Sequence, residues 1–295
     1  MTAAAQAPAK PHWLGYVLCL AAAAGFALHT NFSRLSYDYG VDTITILTWR
    51  SYLSVLVFAA IFALRRQSPW LGQGVRAPML IASVFFILQS FALLGAINFI
   101  PVSLAILLFY LFPILVMLGS SLLGEEKLTP LKVAGAVVGF AGLCLALNIS
   151  GVGLDWRGVA LGIGAALCIT LNVLSTARVM RSQSPLVVTF NMICVATVLL
   201  SAIAAAQGGF KLPTEAAGWW AFAGAIGFVP IAFLCFYSAI PMIGGPRLSI
   251  LMNFEPVMSI TIAAVLLGEV LAPIQYVGGV LVLGAIFGVA LFARR

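Results

Sequence analysis

Apolar segments of about twenty residues follow one another along almost the whole of this 295-residue chain. A helix of that length spans the ~30 Å hydrocarbon core of a bilayer. Hydrophobic residues make up 63% of the sequence and charged residues 8%, against about 25% charged in a typical soluble domain. An all-α membrane protein is therefore predicted, and no polar stretch is long enough to form a separate soluble domain.

Ten spans can be read from the apolar segments, and prolines, glycines and charges mark the joins between them. Most joins are short, so consecutive helices are expected to be antiparallel neighbours. The predicted spans are residues 13–33, 43–64, 77–98, 102–123, 131–149, 157–177, 186–206, 217–240, 246–267 and 273–292.

The basic residues are distributed unevenly between the two sides of these spans. The net charge of +7 is explained by this bias, which is typical of cytoplasmic loops, so nucleic acid is not an expected partner. Both termini are predicted to be cytoplasmic. The basic side holds Lys10, Arg65, Arg66, Arg76, Lys127, Lys132, Arg178, Arg181, Arg294 and Arg295.

The second half of the chain repeats the first at a constant shift of 143 residues. Trp13 falls on Trp156, Pro113 on Pro256, and the later matches include glutamate, proline and glycine pairs. Two repeats, 1–149 and 150–295, of five spans each are therefore predicted. Because five is odd, the second repeat enters the membrane from the opposite face, an arrangement characteristic of secondary transporters that hold substrate near the midplane.

The motif P-x(11–12)-[GE]-E-x(3–4)-P-x(4)-G occurs in both halves, from Pro113 to Gly135 and from Pro256 to Gly278. With Arg50 in the second span, it resembles the drug/metabolite transporter superfamily of the EamA type. The resemblance implies ten transmembrane helices in two inverted five-helix EamA repeats and transport without ATP. The chain is also similar to bacterial amino-acid exporters of the YddG kind, which implies a multi-pass protein of the bacterial inner membrane.

Polar residues inside apolar spans are the candidate site, because equivalent positions of two inverted repeats should face one shared cavity. Asn172 is the equivalent of His29, and Asn253 is the equivalent of Tyr110. Pro113 and Pro256 are predicted hinges of the fourth and ninth helices. The predicted substrate-binding residues are His29, Arg50, Gln89, Tyr110, Asn172, Tyr237, Asn253 and Glu255.

Glu255 and Arg50 each have a functional and a structural interpretation. Glu255, whose equivalent is Phe112, either binds a substrate ammonium group or a proton, or forms a fixed ion pair with Arg50 or Arg247. Arg50 either holds a substrate carboxylate or acts as a structural clamp, and the clamp is favoured. His29 is expected to be a neutral, hydrogen-bonded histidine rather than a titrating one.

Several other groups are expected to serve packing or the interface with water. Glu125, Glu126 and Glu269 are expected to be solvated or paired with Lys127 and Lys132. The pairs Gly135–Gly139 and Gly284–Gly288 are expected to pack the terminal helices against their own half. An aromatic wall for an apolar substrate side chain would consist of Phe109, Tyr110, Phe112, Phe236, Tyr237 and Phe254.

The sequence has no P-loop, nucleophile–base set or His/Cys metal cluster, so neither an enzyme nor a cofactor is predicted. The predicted function is export of small metabolites, in particular neutral or aromatic amino acids, by alternating access. The alternatives are a broader exporter of drugs, nucleobases or sugars on the same scaffold and, from other classes, a membrane scaffold or an intramembrane enzyme. The expected partners are a small-molecule substrate and the lipid bilayer, with a monomer as the working hypothesis.

Overall fold

The computed structural model describes residues 12–100, 102–125, 127–147, 155–267 and 272–292, and within these ranges helices, turns and loops account for every residue. The prediction of an all-α protein is confirmed. A 3₁₀ turn, Gln73–Val75, precedes the third helix. The α-helices are α1 His12–Tyr37, α2 Thr43–Arg65, α3 Arg76–Ile97, α4 Val102–Phe109, α5 Phe112–Leu122, α6 Pro130–Ala146, α7 Trp156–Val179, α8 Pro185–Ala206, α9 Ala216–Gly227, α10 Val229–Ile243, α11 Gly245–Leu251, α12 Phe254–Leu267 and α13 Pro273–Phe292.

Within the described ranges, eight segments are long and apolar enough to cross a membrane. Two shorter apolar helices, Pro130–Ala146 and Pro273–Gly288, occupy the predicted fifth and tenth spans. The 17 residues of α6 rise about 26 Å, slightly less than a hydrocarbon core of ~30 Å. The eight segments are Trp13–Tyr37, Thr43–Arg65, Arg76–Ile97, Leu104–Leu122, Trp156–Val179, Pro185–Ala206, Ala216–Ile243 and Gly245–Val265.

Side chains at the joins decide where several helices begin. The Asp42 carboxylate accepts a 2.8 Å hydrogen bond from the Thr45 backbone N–H at the start of α2. Ser184 Oγ accepts from the Val187 N–H in the same way before α8, whose first residue is Pro185. Each cap satisfies a backbone donor that has no partner inside the helix, and proline is favourable at the first position because it lacks that donor.

Equivalent helices of the two halves pack against each other in antiparallel pairs. In α2 and its equivalent α8, the Tyr52 hydroxyl and Ser201 Oγ are 2.8 Å apart. Further along α2, the ring of Phe62 lies 5.3 Å from that of Phe190, which precedes Ser201 in α8. Helices α6 and α13 form a second such pair. The third span, α3, packs on the sixth, α7, and the first span, α1, packs on the eighth, which consists of α9 and α10. The packing of the first half on the second is therefore similar to the packing of the second half on the first.

The glycines of α6 contact the opposite half, so the expectation that the terminal helices pack within their own half is wrong. A Cβ atom on Gly142 would lie 2.8 Å from the Gly278 carbonyl oxygen, and one on Gly278 would overlap the backbone of Ala146. Gly139 faces Ala285 of α13. A Cβ on Gly284, by contrast, would have no atom of the described residues within 4 Å. Small residues let α6 and α13 approach backbone to backbone.

The fourth and ninth spans are both interrupted just before their prolines. Helix α4 ends before Tyr110 and Leu111, and α11 ends before Met252 and Asn253. At these breaks the Leu111 N–H bonds to the carbonyl three residues back, at 3.2 Å, and the Asn253 N–H does the same. A proline cannot donate the next helical hydrogen bond, which explains why the breaks occur here. Whether Pro113 and Pro256 act as hinges stays a prediction.

Candidate functional site

A cavity of about 250 Å³ lies between the two halves, beside the breaks in the fourth and ninth spans. Both halves supply its walls, which are mainly aromatic and aliphatic with a few polar and charged groups. Six of the eight predicted site residues line it, namely His29, Arg50, Gln89, Tyr110, Tyr237 and Glu255. The other lining residues are Phe26, Thr30, Leu47, Phe86, Ser90, Leu93, Leu94, Phe109, Phe112, Ile169, Phe233, Phe236 and Met252.

Glu255 projects from the first turn of α12, where the N-terminal end of a helix dipole favours a negative charge. The Tyr110 hydroxyl, from the break in the other half, lines the same cavity and interacts electrostatically with this carboxyl group. Among the described residues, no salt bridge joins Glu255 to Arg50 or to Arg247. The fixed ion pair considered from the sequence is therefore not formed, and the carboxylate faces the cavity beside a neutral partner.

Arg50 projects from α2 into the same cavity without a carboxylate partner within 4.0 Å in the described part of the chain. Its Nη1 donates a 2.8 Å hydrogen bond to His29 Nε2. Its Cζ lies 5.8 Å from the centroid of the Phe233 ring, within cation–π range. Its Nε is buried and has no hydrogen-bond partner among the residues that the structure describes. The guanidinium is held by neutral groups, so its charge is not neutralised.

Gln89 adds an unused acceptor on the α3 side of the cavity. Among the described residues, its buried Oε1 has no hydrogen-bond partner, and its Nε2 has Ser90 Oγ, at 3.5 Å, as its one acceptor. Ser90 Oγ in turn is 3.4 Å from the carbonyl of Phe86. A buried acceptor without a partner is costly, so a donor from a bound ligand or water would stabilise this side chain.

Asn172 does not line the cavity, although it is the equivalent of His29. Its side chain is fully buried, and its Nδ2 donates to the Ala82 carbonyl at 2.9 Å and contacts Met192 Sδ at 3.3 Å. Its Oδ1 accepts a 3.0 Å hydrogen bond from the Tyr237 hydroxyl. The two-fold equivalent of the cavity is thus packed shut, because this network ties α7 to α3, α8 and α10.

Asn253 also lies away from the cavity, against α6. Its side chain is 2% exposed, and its Nδ2 would lie 2.9 Å from a Cβ on Gly139. Its Oδ1 has no hydrogen-bond partner in the described part of the chain. The break in the second half comes one residue earlier than the 143-residue shift predicts from Tyr110 and Leu111. One residue of a helix is a rotation of about 100°. Met252 therefore takes the cavity position, and Asn253 turns toward α6.

The aromatic wall differs in part from the predicted one. Phe254 does not line the cavity, whereas Phe26, Phe86 and Phe233 do. The Phe233 ring lies 5.4 Å from that of Phe26 and 5.6 Å from that of Phe86, in edge-to-face contacts. Each of these three rings is one helical turn before a predicted polar residue, at spacings of three or four. That spacing places them on the polar face and could have identified them.

Glu125 forms ion pairs with two arginines at one end of the bundle. The expected partners were Lys127 and Lys132. Its Oε1 accepts from Arg178 Nε at 2.7 Å and from Arg181 Nη2 at 3.0 Å. This pairing joins the end of α5 in the first half to the end of α7 in the second. Glu126 and Glu269 lie outside the described residues.

A sequence profile of the EamA-like transporter family matches the chain twice, over residues 13–148 and 156–291. The chain is 27% identical to the threonine/homoserine exporter RhtA of Escherichia coli K12 over 295 residues, which covers 97% of this chain and 94% of RhtA. RhtA of E. coli O6:H1 and RhtA of E. coli O157:H7 match to the same extent. A solved crystal structure superposes with a TM-score of 0.77 at 24% identity, over 95% of this chain and 98% of the other, a likeness of fold alone.

Proposed function

Because the chain belongs to the EamA-like transporter family, we propose that it exports neutral or aromatic amino acids by alternating access through the cavity between its halves. Its family is one of transporters rather than enzymes. The name of RhtA, a threonine/homoserine exporter, supports amino acids as the first substrates to examine.

The main support for this proposal is a pair of opposite charges, Arg50 and Glu255, that do not form an ion pair with each other. Among the described residues, Arg50 contacts His29 and Phe233 but no carboxylate, and Glu255 lies beside the Tyr110 hydroxyl. A charge inside a membrane is costly unless it is compensated. A zwitterionic amino acid brings both compensating groups, since its carboxylate fits the guanidinium and its ammonium group fits the carboxylate.

The size and walls of the cavity suit the same class of ligand. A volume of 250 Å³ corresponds to about eight water molecules at roughly 30 Å³ each. A small amino acid has a comparable number of non-hydrogen atoms. The aromatic rings around Phe233 offer an apolar surface for its side chain, and Gln89 Oε1 offers an acceptor for a hydroxyl or ammonium donor.

The proposed topology has ten crossings in two inverted five-helix repeats, with both termini in the cytoplasm of a bacterium and the chain in its inner membrane. The antiparallel pairing of α2 with α8 and of α6 with α13 supports inversion, because equivalent helices then enter from opposite faces. In this topology His29 and Arg50 lie toward the periplasmic ends of α1 and α2. Asn172 lies toward the cytoplasmic end of α7.

The conformation is then open toward the periplasm and closed toward the cytoplasm. Two contacts support the closure, the hydrogen bond between Tyr237 and Asn172 and the pairing of Glu125 with Arg178 and Arg181. In the proposed state that is open toward the cytoplasm, these contacts are broken and the periplasmic side of the cavity is packed shut. The breaks before Pro113 and Pro256 are the proposed hinges.

Counterflow in proteoliposomes tests the function. We expect saturable uptake of labelled threonine, homoserine or phenylalanine into vesicles preloaded with the same unlabelled compound, and none in protein-free vesicles. Substitution R50Q should abolish it, whereas R157Q, which removes a cation stacked on Trp156 outside the cavity, should not. The absence of saturable flux for every amino acid would contradict the proposal. Inhibition by sugars or nucleobases but not by amino acids would favour the broader exporter.

A further inference from the structure

We propose that His29 is a positioning residue for Arg50, held as the neutral Nδ1–H tautomer by the Ala225 carbonyl, so that its Nε2 orients the guanidinium toward the substrate carboxylate. The claim that Arg50 points toward a substrate carboxylate rests on the proposed function. The claim that His29 and Arg50 are hydrogen-bonded does not depend on it.

The partners of the imidazole fix its tautomer. His29 Nδ1 contacts the carbonyl oxygen of Ala225 in α9, which accepts hydrogen bonds but cannot donate them. Nδ1 must therefore carry a proton. Nε2 lies 2.8 Å from Arg50 Nη1, which donates but cannot accept, so Nε2 must offer a lone pair. Ser33 Oγ, 3.4 Å from Nδ1, donates its own proton to the His29 carbonyl and so can act only as a further acceptor for Nδ1–H. A histidine with these partners is uncharged and has one tautomer.

The same contact restricts where Arg50 can point. A guanidinium has five N–H donors in a planar fork. One of them is fixed by His29, and one face of the plane lies toward Phe233. The donors that remain are left for a ligand in the cavity, in the bidentate geometry that suits a carboxylate. Without the acceptor on His29, the long side chain would sample other rotamers.

The charged surroundings oppose protonation of His29. An imidazolium would place a second cation against Arg50 and would lose the acceptor on Nε2. Tyr37 of α1 also acts electrostatically on Arg50. Helix α9 has no titratable side chain, and the charged residue of α3, Arg76, is at its first position. The remaining titratable groups that line the cavity are Tyr110, Tyr237 and Glu255. The imidazole is therefore expected to stay neutral during transport.

Nuclear magnetic resonance can read this tautomer directly, because the chain has two histidines, His12 and His29. In an H12Q variant labelled with ¹⁵N-histidine, every imidazole signal belongs to His29. We expect the Nδ1–H tautomer from pH 8 to pH 5.5 and a shift of the Nε2 signal in R50K. An Nε2–H tautomer, an imidazolium at neutral pH, or no response to R50K would overturn the proposal, whatever the transport result.

Transport kinetics test the positioning role. H29Q, which keeps an acceptor, should retain a near-normal KM, whereas H29L should raise KM by about tenfold, the scale of one lost charge-assisted hydrogen bond, with little change in kcat. In an R50K background, H29L should add little, because both changes act on one interaction. An equal effect of H29L with and without Arg50 would overturn the role. If the wild type transports no amino acid, the proposed function fails, and the resonance measurement still decides the pairing.

Discussion

Replacing Tyr237 by phenylalanine should open the cytoplasmic side of the cavity. The change removes the 3.0 Å hydrogen bond to Asn172 Oδ1 and leaves the ring in place. Both side chains are buried, Tyr237 at 1% and Asn172 at 0% exposure, so no lipid or bulk water replaces the lost donor. In the proposed cycle the bond forms only while this side is packed shut, so its loss should raise the free energy of the closed state.

The size of the shift follows from the cost of one such bond. Hydrogen bonds between helices in membranes average about 0.6 kcal/mol and reach about 1.7 kcal/mol. An acceptor left unsatisfied costs about 1–3 kcal/mol. A value near 1 kcal/mol corresponds to about a fivefold rise in the population of the state open to the cytoplasm.

Labelling of a buried cysteine can measure this population. Thr176 is fully buried one turn beyond Asn172, toward the predicted cytoplasmic end of α7. In a T176C variant without the five native cysteines, a membrane-impermeant maleimide applied from the cytoplasmic side should react about fivefold faster after Y237F.

Tyr52→Phe is the matched control, because it also removes a hydroxyl contact between the halves, to Ser201 at 2.8 Å. That contact joins α2 to α8 and includes neither Asn172 nor Tyr237. An unchanged labelling rate in Y237F, or the same increase in Y52F, would refute the assignment of the Tyr237 bond to the cytoplasmic closure.

Three further predictions concern the charge, the helix contact and the end of the bundle. E255Q should impair transport if the carboxylate binds substrate or a proton, and unchanged kinetics at several pH values would assign Glu255 to structure. G278A should lower the melting temperature in detergent, because its Cβ would overlap the backbone of α6 and overpacking costs about 1–3 kcal/mol, whereas G284A should not. E125Q should speed cysteine labelling by less than about fivefold, since exposed ion pairs contribute about 0–1 kcal/mol, and the effect should vanish in high salt.

Much of the fold could be predicted because hydrophobicity and internal repetition are strong signals in this chain. Every described α-helix overlaps a predicted span, and the resemblance to the EamA type is confirmed by the family match over both halves. The break before Pro256 was also expected, since proline cannot continue the hydrogen-bond ladder. The repeat boundaries at residues 149 and 150 and the cytoplasmic termini stay predictions.

The wrong predictions concern side chains whose position depends on residues distant in sequence rather than on the local sequence. Asn253 leaves the cavity because a one-residue difference in the break turns its side chain, which the shift of 143 residues cannot reveal. Gly139 contacts α13 because the halves interlock. Glu125 pairs with Arg178 although Lys127 is close in sequence, since the end of α7 comes to meet it. Asn172 is buried because only one of the two equivalent sides is open.

The contact between α6 and α13 limits which parts of the protein can move. At Gly142 and Gly278 the two backbones approach each other closely, because neither glycine has a side chain. Turning or sliding either helix by a residue would bring its side chains into steric overlap with the other, so we expect the pair to move as one rigid body during transport. A distance between spin labels on these two helices should stay constant while distances across the cavity change, which makes the pair a natural reference frame for measuring motion elsewhere.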